Sequence, residues 1–422
     1  MSDPPRQIES LVTDLFRRTS GRLIARLARR FGPQHLALAE EAVQDALMRA
    51  LQSWPYSGVP DVPEAWLYKV ALNAGLDALR RDMLGREKIA PTIAEIELAM
   101  APKPSDVDDE LAMMFMCCHP ALPHAAQLAL TLKIVGGLGV EEIAAAFLTE
   151  PATIAQRIVR AKKQIRDQRL PLEVPSAAEM PERLSSVLDA VYLLFNEGYA
   201  AHSGERVVRN DLCNEAIRLA RLLLAAPRSD LPPVRALLAL MLFQAARLPA
   251  RTSEAGELLL FEEQDPKRWN TAMTAEAFMH FERSFSGAKT AYHVEAAIAS
   301  VHAAAPTAAA IDWPRIRLLY DELLEFKPSP VTVLNRAVAI GMAEGPAAGL
   351  QALEPLQNEP ALARYHLLTS AMAGLWARAG NASRAAQFYR EALQKPCSGP
   401  ERRFLERQLA RCEGREGVAF LP

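Results

Sequence analysis

Apolar residues recur every three to four positions along almost the whole chain, and no stretch alternates apolar with polar over the length of a strand. The pattern predicts an all-α protein. Between residues 8 and 31, Ile8, Leu11, Leu15, Leu23, Ile24 and Leu27 share a helical spacing. Residues 36–53 predict a second, amphipathic helix. Leu36, Ala39, Val43, Ala46, Leu47 and Ala50 lie on its apolar face, and Glu40, Glu41, Gln44 and Asp45 on its other face. WPYSGVPDVP at 54–63 is rich in breakers and reads as a loop, after which a third helix runs from Glu64 to about Met83.

Further along, 124–135 reads as a helix closed by Gly136-Gly137, 140–147 as a short helix, and about Ala152 to Arg169 as a longer one. A short helix, a tight turn and a longer helix make a helix-turn-helix. Ala144 is small where the two helices would cross, and Ile143, Phe147, Ile154, Ile158 and Ile165 would form their shared core. Thr149 and Thr153 are both candidates to cap the longer helix. Two proline-bearing stretches, 88–107 and 171–181, read as linkers and divide the chain into 1–87, 108–170 and 182–422.

The last segment carries a repeat. Ala373, Trp376, Gly380, Ala385, Tyr389 and Ala392 match the small and large positions of a tetratricopeptide unit, and Gly345 precedes Gly380 by 35 residues. This predicts a right-handed stack of helix pairs with atypical early repeats, exposing a groove for a peptide or packing on the preceding segments. Two polar interruptions, NEGY at 196–199 and EEQDPKRW at 262–269, read as helix ends and loop caps, or else as contacts for another domain or a small ligand.

Charge sharpens this picture. Lys and Arg number 48 against 50 Asp and Glu, so no global field draws nucleic acid, and a DNA contact needs a local patch. The longer helix of the helix-turn-helix supplies one: Arg157, Arg160, Lys162, Lys163, Arg166 and Arg169 face the single acid Asp167. Five cysteines without a CxxC support neither a disulfide framework nor a zinc ribbon. The adjacent Cys117 and Cys118 sit in apolar MMFMCC and read as buried thiols rather than metal ligands. No phosphate loop, GxSxG or HExxH occurs, so neither an active site nor a metal or cofactor is expected. A basic n-region followed by an apolar stretch is missing at the start, and no apolar run reaches about 18 residues; the expectation is a soluble protein of the cytoplasm.

Residues 36–83 resemble region 2 of a sigma factor of the extracytoplasmic-function (ECF) type, through AEEAVQDALMRAL, Trp54, PEAWLYKVALNAGLDALRR and their spacing. Residues 108–170 resemble region 4, with GGLGVEEIAAAFLTEPATIAQRIVRAKKQIR as its helix-turn-helix. CCHPALP, LLFNEGY and the long tail are similar to a subgroup with a C-terminal tetratricopeptide-like extension. The resemblance implies region 2 at 1–87, an interdomain linker at 88–107 that threads toward the RNA exit path, region 4 at 108–170, a second linker at 171–181 and a helical repeat domain at 182–422.

It further implies a non-catalytic subunit that binds core RNA polymerase and directs it to promoters. Glu40, Glu41, Gln44 and Asp45 then fall on the polymerase-contacting helix. Trp66, Lys69, Asn73, Arg80 and Arg81 fall on the helix that reads and melts the −10 element, with Asp77 orienting Arg80 or Arg81. The −10 strand needs a surface on which bases stack and cations along its backbone. Trp66 serves either there or in the core, and the 54–63 loop with Tyr56 would pocket a flipped base. In region 4, Ala152, Thr153, Gln156, Arg157, Arg160 and Lys163 are the −35 candidates; Gln156 suits adenine, Arg157 guanine, and Lys162, Lys163 and Arg166 phosphate. Family members are often encoded beside small YCII-like (DGPF) proteins, so such a protein or a peptide is a further expected partner of the tail, which would regulate promoter output. Two other readings of the residues stand beside this one: a helix-turn-helix regulator with a repeat-built sensor, and an interaction scaffold.

Overall fold

The computed structural model describes residues 4–86, 106–147, 149–199, 209–254 and 257–414. Among them every regular element is a helix, and the extended pairing is a single antiparallel bridge between Thr252 and Leu258. The chain divides into two compact units, one of 1–195 with 214–229 and one of 196–213 with 230–422.

The first unit begins with α1 (Pro4–Phe31), α2 (Leu36–Ser57) and α3 (Pro63–Arg86). Leu23, Leu27, Leu36, Val43 and Leu67 fill the space between them. Gly75 of α3 lies against Phe31, where an added Cβ would stand 2.4 Å from the ring, so only glycine permits this approach. Helix α2 outruns its expected end. Trp54 is buried in the core and carries the helix through Pro55 to Ser57, where Gly58, at φ 80°, donates to the Trp54 carbonyl. The loop is therefore shorter than 54–63.

Next come α4 (Asp106–Cys117), α5 (His124–Ile134), α6 (Val140–Ala146) and α7 (Pro151–Gln168). Leu111 to Cys118 are all buried, the whole circumference of α4, so α4 forms the middle of the unit. Gly21 of α1 abuts the end of α5; a Cβ there would stand 2.8 Å from the Val135 carbonyl oxygen. The front and middle segments thus share one core. Most of the 88–107 stretch lies outside the described residues, and 106–107 open α4. Of the proline-rich 171–181, residues 171–179 are irregular but pinned, and 180–181 open the next helix: Leu170 and Leu172 are buried, and Arg29 donates to the Leu172 carbonyl at 2.6 Å.

Helices α8 (Met180–Tyr199) and α9 (Asn210–Ala225) follow. Arg218 of α9 grips Glu110 of α4 with two bonds of 2.9 and 2.5 Å and also binds Glu215. Burial opposes the Arg218 charge and pushes the Glu110 carboxyl above the usual range, while the two carboxylates more than restore the guanidinium's hold on its proton.

The second unit holds α10 (Pro232–Ala245), α11 (Thr271–Arg283), α12 (Ala291–Ala304), α13 (Trp313–Phe326), α14 (Pro330–Glu344), α15 (Pro346–Leu353), α16 (His366–Arg378), α17 (Ala382–Leu393) and α18 (Gly399–Cys412). Its end is built of paired helices. Gly345 (φ 106°) turns α14 into α15, and Gly380 (φ 77°) separates α16 from α17. Ala373, Ala385, Tyr389 and Ala392 are buried with Leu405, and Trp376 packs half-buried against them.

Candidate nucleic-acid interface

Helix α7 is amphipathic, and its two faces have different duties. Ile154, Ile158, Ala161 and Ile165 are buried against α5 and α6, where Ile143 and Ala144 are also buried. Phe147, expected in that core, is only half-buried at the end of α6. The cap also differs from expectation. Glu150 occupies the N-cap with no side-chain bond and Pro151 starts the helix, so neither Thr149 nor Thr153 caps it. Pro151 has no N–H to offer, and the Thr153 and Ile154 amides both donate to the Glu150 carbonyl, at 3.0 and 3.4 Å.

On the opposite side Ala152, Gln156, Val159, Arg160, Lys163 and Arg166 form one exposed stripe. Val159, a bulky apolar residue 65% exposed in the middle of it, was not singled out from the sequence. Thr153 and Arg157 flank the stripe half-buried. Arg157, Arg160 and Lys163 have no ion-pair partner among the described residues, and Arg166 meets only its exposed neighbour Asp167 at 3.0 Å. Gln164 anchors the helix sideways by donating to the Ala121 carbonyl at 2.6 Å.

Lys162 points the other way. It is ion-paired with Glu40 of α2, and Lys133 of α5 stands 3.7 Å from the same carboxylate. Glu40 is thus buried, away from the outer face of α2 where Glu41, Gln44 and Asp45 are exposed with Met48 and Arg49. The signal was available: Glu40 shares the heptad stripe of Leu36, Ala39, Val43 and Leu47, and a carboxylate in such a stripe needs a cation.

Along α3, Trp66, Lys69, Asn73, Asp77 and Arg80 follow one helical line; Lys69, Asn73, Asp77 and Arg81 are exposed, and Trp66 and Arg80 half-exposed. Trp66 stands edge-on to buried Trp54, centroids 5.4 Å apart, so it leans on the core while part of its surface stays open. The Asp77 carboxylate accepts from Arg80 at 3.0 Å, and its carbonyl accepts from Arg81 at 3.3 Å. Tyr56 (92% exposed), Val59 and Val62 add apolar groups in the open between α2 and α3. Arg26 stacks on Tyr68 at 4.0 Å and fixes α3 to α1.

Cys117 and Cys118 are core thiols. Burial pushes Cys118 up to about 12, and its sulfur lies 3.3 Å from Thr131 Oγ1. His119 accepts the Ala121 amide, and no set of three or more metal-binding side chains gathers among the described residues.

A helical bundle bearing an acidic outer helix, followed by a helix-turn-helix with an unpaired basic stripe, is the build of a sigma-70-type factor. Residues 16–83 match the model of Sigma-70 region 2, residues 112–165 that of Sigma-70 region 4, and residues 183–285 that of a family of unknown function (DUF6596). An uncharacterised protein of Rhizobium meliloti (strain 1021) is 39% identical over 384 residues, covering 89% of this chain and 90% of that protein. The ECF RNA polymerase sigma factor SigE of Mycolicibacterium smegmatis is 29% identical over 156 residues, 36% of this chain and 60% of that protein. The chain belongs to the ECF-type sigma factors, in a form with a helical C-terminal extension. Promoter recognition is its function, and its regions 2 and 4 imply core RNA polymerase and promoter DNA as partners; sigma factor families are not enzymes. No described helix is long and apolar enough to cross a membrane.

Proposed function

We propose the following division of labour. Glu41, Gln44 and Asp45, with Met48 between them, meet core polymerase, and Glu40 serves as an internal clamp. Trp66, Lys69, Asn73, Arg80 and Arg81 handle the −10 strand, stacking and neutralising it. Ala152, Gln156, Arg160 and Lys163 enter the −35 major groove, flanked by Thr153 and Arg157, and Arg166 meets phosphate. The chain works in the cytoplasm without chemistry of its own, as the boundaries 1–87, 108–170 and 182–422 would suggest for two reading modules and a regulatory tail. A YCII-like protein or a peptide is a fitting partner for that tail.

The observation that carries this reading is the exposed, unpaired stripe of α7. A companion observation concerns how it is held. Glu40 joins α2 to α7 and α5, whereas −10 and −35 elements lie about 25 base pairs apart, on the order of 85 Å along the duplex. Reading both at once requires the Glu40 contact to part, so it works as a latch between polymerase-free and promoter-bound forms. The test is transcription by core enzyme reconstituted with this chain on promoters selected in its presence. Initiation that depends on the chain and falls with Arg160→Ala plus Lys163→Ala supports the assignment. Tight duplex binding without polymerase, and no effect on initiation, would instead favour a stand-alone regulator.

A further inference from the structure

The second unit contains a cluster that promoter recognition does not use. Arg247, just beyond α10, lies with its guanidinium carbon 4.1 Å from the Phe261 ring and 5.6 Å from the Trp269 ring. Arg251, four residues on, covers the Tyr199 ring at 3.9 Å and donates to the Tyr199 carbonyl at 2.5 Å. His302 packs against Phe261, with centroids 5.3 Å apart. Both polar interruptions of the sequence, NEGY and EEQDPKRW, therefore send an aromatic residue to neighbouring arginines.

Among the described residues these arginines have no counter-ion: neither Arg247 nor Arg251 has a carboxylate partner, and the acids of the 257–263 segment are engaged elsewhere. Glu257 and Glu263 bind Arg407 and Arg411, and Glu262 binds Arg378. Of the five N–H groups of Arg247, one meets a protein acceptor, Gln264 Oε1 at 3.1 Å. Its Nε is buried without an acceptor, as are Trp269 Nε1 and His302 Nδ1. Ring faces stabilise a cation but do not satisfy its hydrogen bonds, and a largely buried guanidinium without an anion is costly. Two adjacent cations, idle donors and aromatic walls together describe the complement of an anion with oxygen acceptors and an apolar body.

We propose that Arg247 and Arg251, walled by Tyr199, Phe261, Trp269 and His302, form a binding site for an organic oxyanion, a carboxylate or phosphate ester carried on a flat ring. The site is independent of the transcription reading, because binding is measured on the full chain without polymerase or DNA. Calorimetry and tryptophan fluorescence with benzoate and phenyl phosphate, set against acetate and inorganic phosphate, test it. The expected result is saturable binding of one ring-bearing probe, at least about tenfold tighter than its ringless counterpart; which probe wins distinguishes carboxylate from phosphate. Arg247→Met should abolish that binding and, in anion-free buffer, melt above the parent chain, because an uncompensated buried charge has been removed. If Arg247→Met does not fold, Arg251→Gln at the half-exposed rim should weaken binding at least about tenfold. Failure of all four probes to bind, equal binding of ringless ions, or binding unchanged in the variants would overturn the proposal.

Discussion

The two units treat their positive charges in opposite ways. In the second unit, outside the Arg247–Arg251 cluster, several arginines are bound to acids: Arg317 to Asp321 and Glu344, Arg336 to Asp321, Arg407 to Glu257, Arg411 to Glu263 and Arg390 to Glu413. In the first unit α7 leaves Arg157, Arg160 and Lys163 without such partners, on an open face. A chain of net charge −2 can thus offer a cationic surface without being basic, because acids cancel cations in one place and are withheld in another. Within α7 the contrast narrows to adjacent residues, Lys162 spent inward on Glu40 and Lys163 turned outward.

The strongest way to break this comparison is Arg160→Ala with Lys163→Ala. Each lost base contact costs about 1–3 kcal/mol, so losing two should lower promoter-dependent initiation by roughly thirtyfold or more. Arg317→Ala in the second unit, which removes as much charge as either single change, should lower the melting temperature slightly and leave DNA affinity unchanged. Equal losses from both would show that net charge, not unpaired charge, governs binding. Next in size is Glu40→Ala. It strands two largely buried lysines and should cost about 3 kcal/mol of stability in denaturant unfolding. If the latch operates, the same variant binds promoter DNA more tightly in the absence of polymerase, although it is less stable.

Much of this was legible in the sequence, for a physical reason. The core of α7 follows from helical periodicity alone, and the 35-residue spacing of Gly345 and Gly380 marks the repeat whose turns they make. What periodicity could not supply was tertiary context. Pro55 is a breaker in isolation, yet burial of Trp54 keeps α2 going past it. Either threonine suits a cap, but the first turn starts at Glu150 and Pro151. Glu40 lies beside Glu41 in sequence and looks equally free until Lys133 and Lys162 arrive from residues far along the chain. The convergence of Tyr199 and Trp269 on Arg251 and Arg247 is likewise a product of folding.

A smaller effect sharpens the account of the second unit. His302 is pushed down from 6.5 to about 4 by burial and, secondarily, by the positive charge of Arg247. Its folded-state value lies below its unfolded one, so the unfolded chain binds the proton more readily. The contribution to stability is whole above pH 6.5 and is lost as pH falls through the window toward 4. Melting temperatures measured across that window should drop by several degrees more for the parent chain than for His302→Phe. Parallel curves would mean that His302 does not sense its buried, cationic surroundings.

The smallest expected effect falls on α3, midway between the two extremes of the comparison. Asp77 holds Arg80 at 3.0 Å, yet both groups keep contact with solvent, so the pair adds little to stability. Asp77→Asn should shift the melting temperature by less than a degree, since the amide still offers an oxygen to the guanidinium. Its consequence lies in positioning: with the carboxylate gone, Arg80 is electrostatically freer to bind the −10 strand but less well oriented toward it. Attraction predicts tighter binding of a single-stranded −10 oligonucleotide and orientation predicts weaker binding, and the change should stay within a few-fold either way. Salt separates the two: a gain that vanishes at high ionic strength marks Asp77 as a charge that tempers Arg80, whereas a loss that persists there marks it as the residue that aims it.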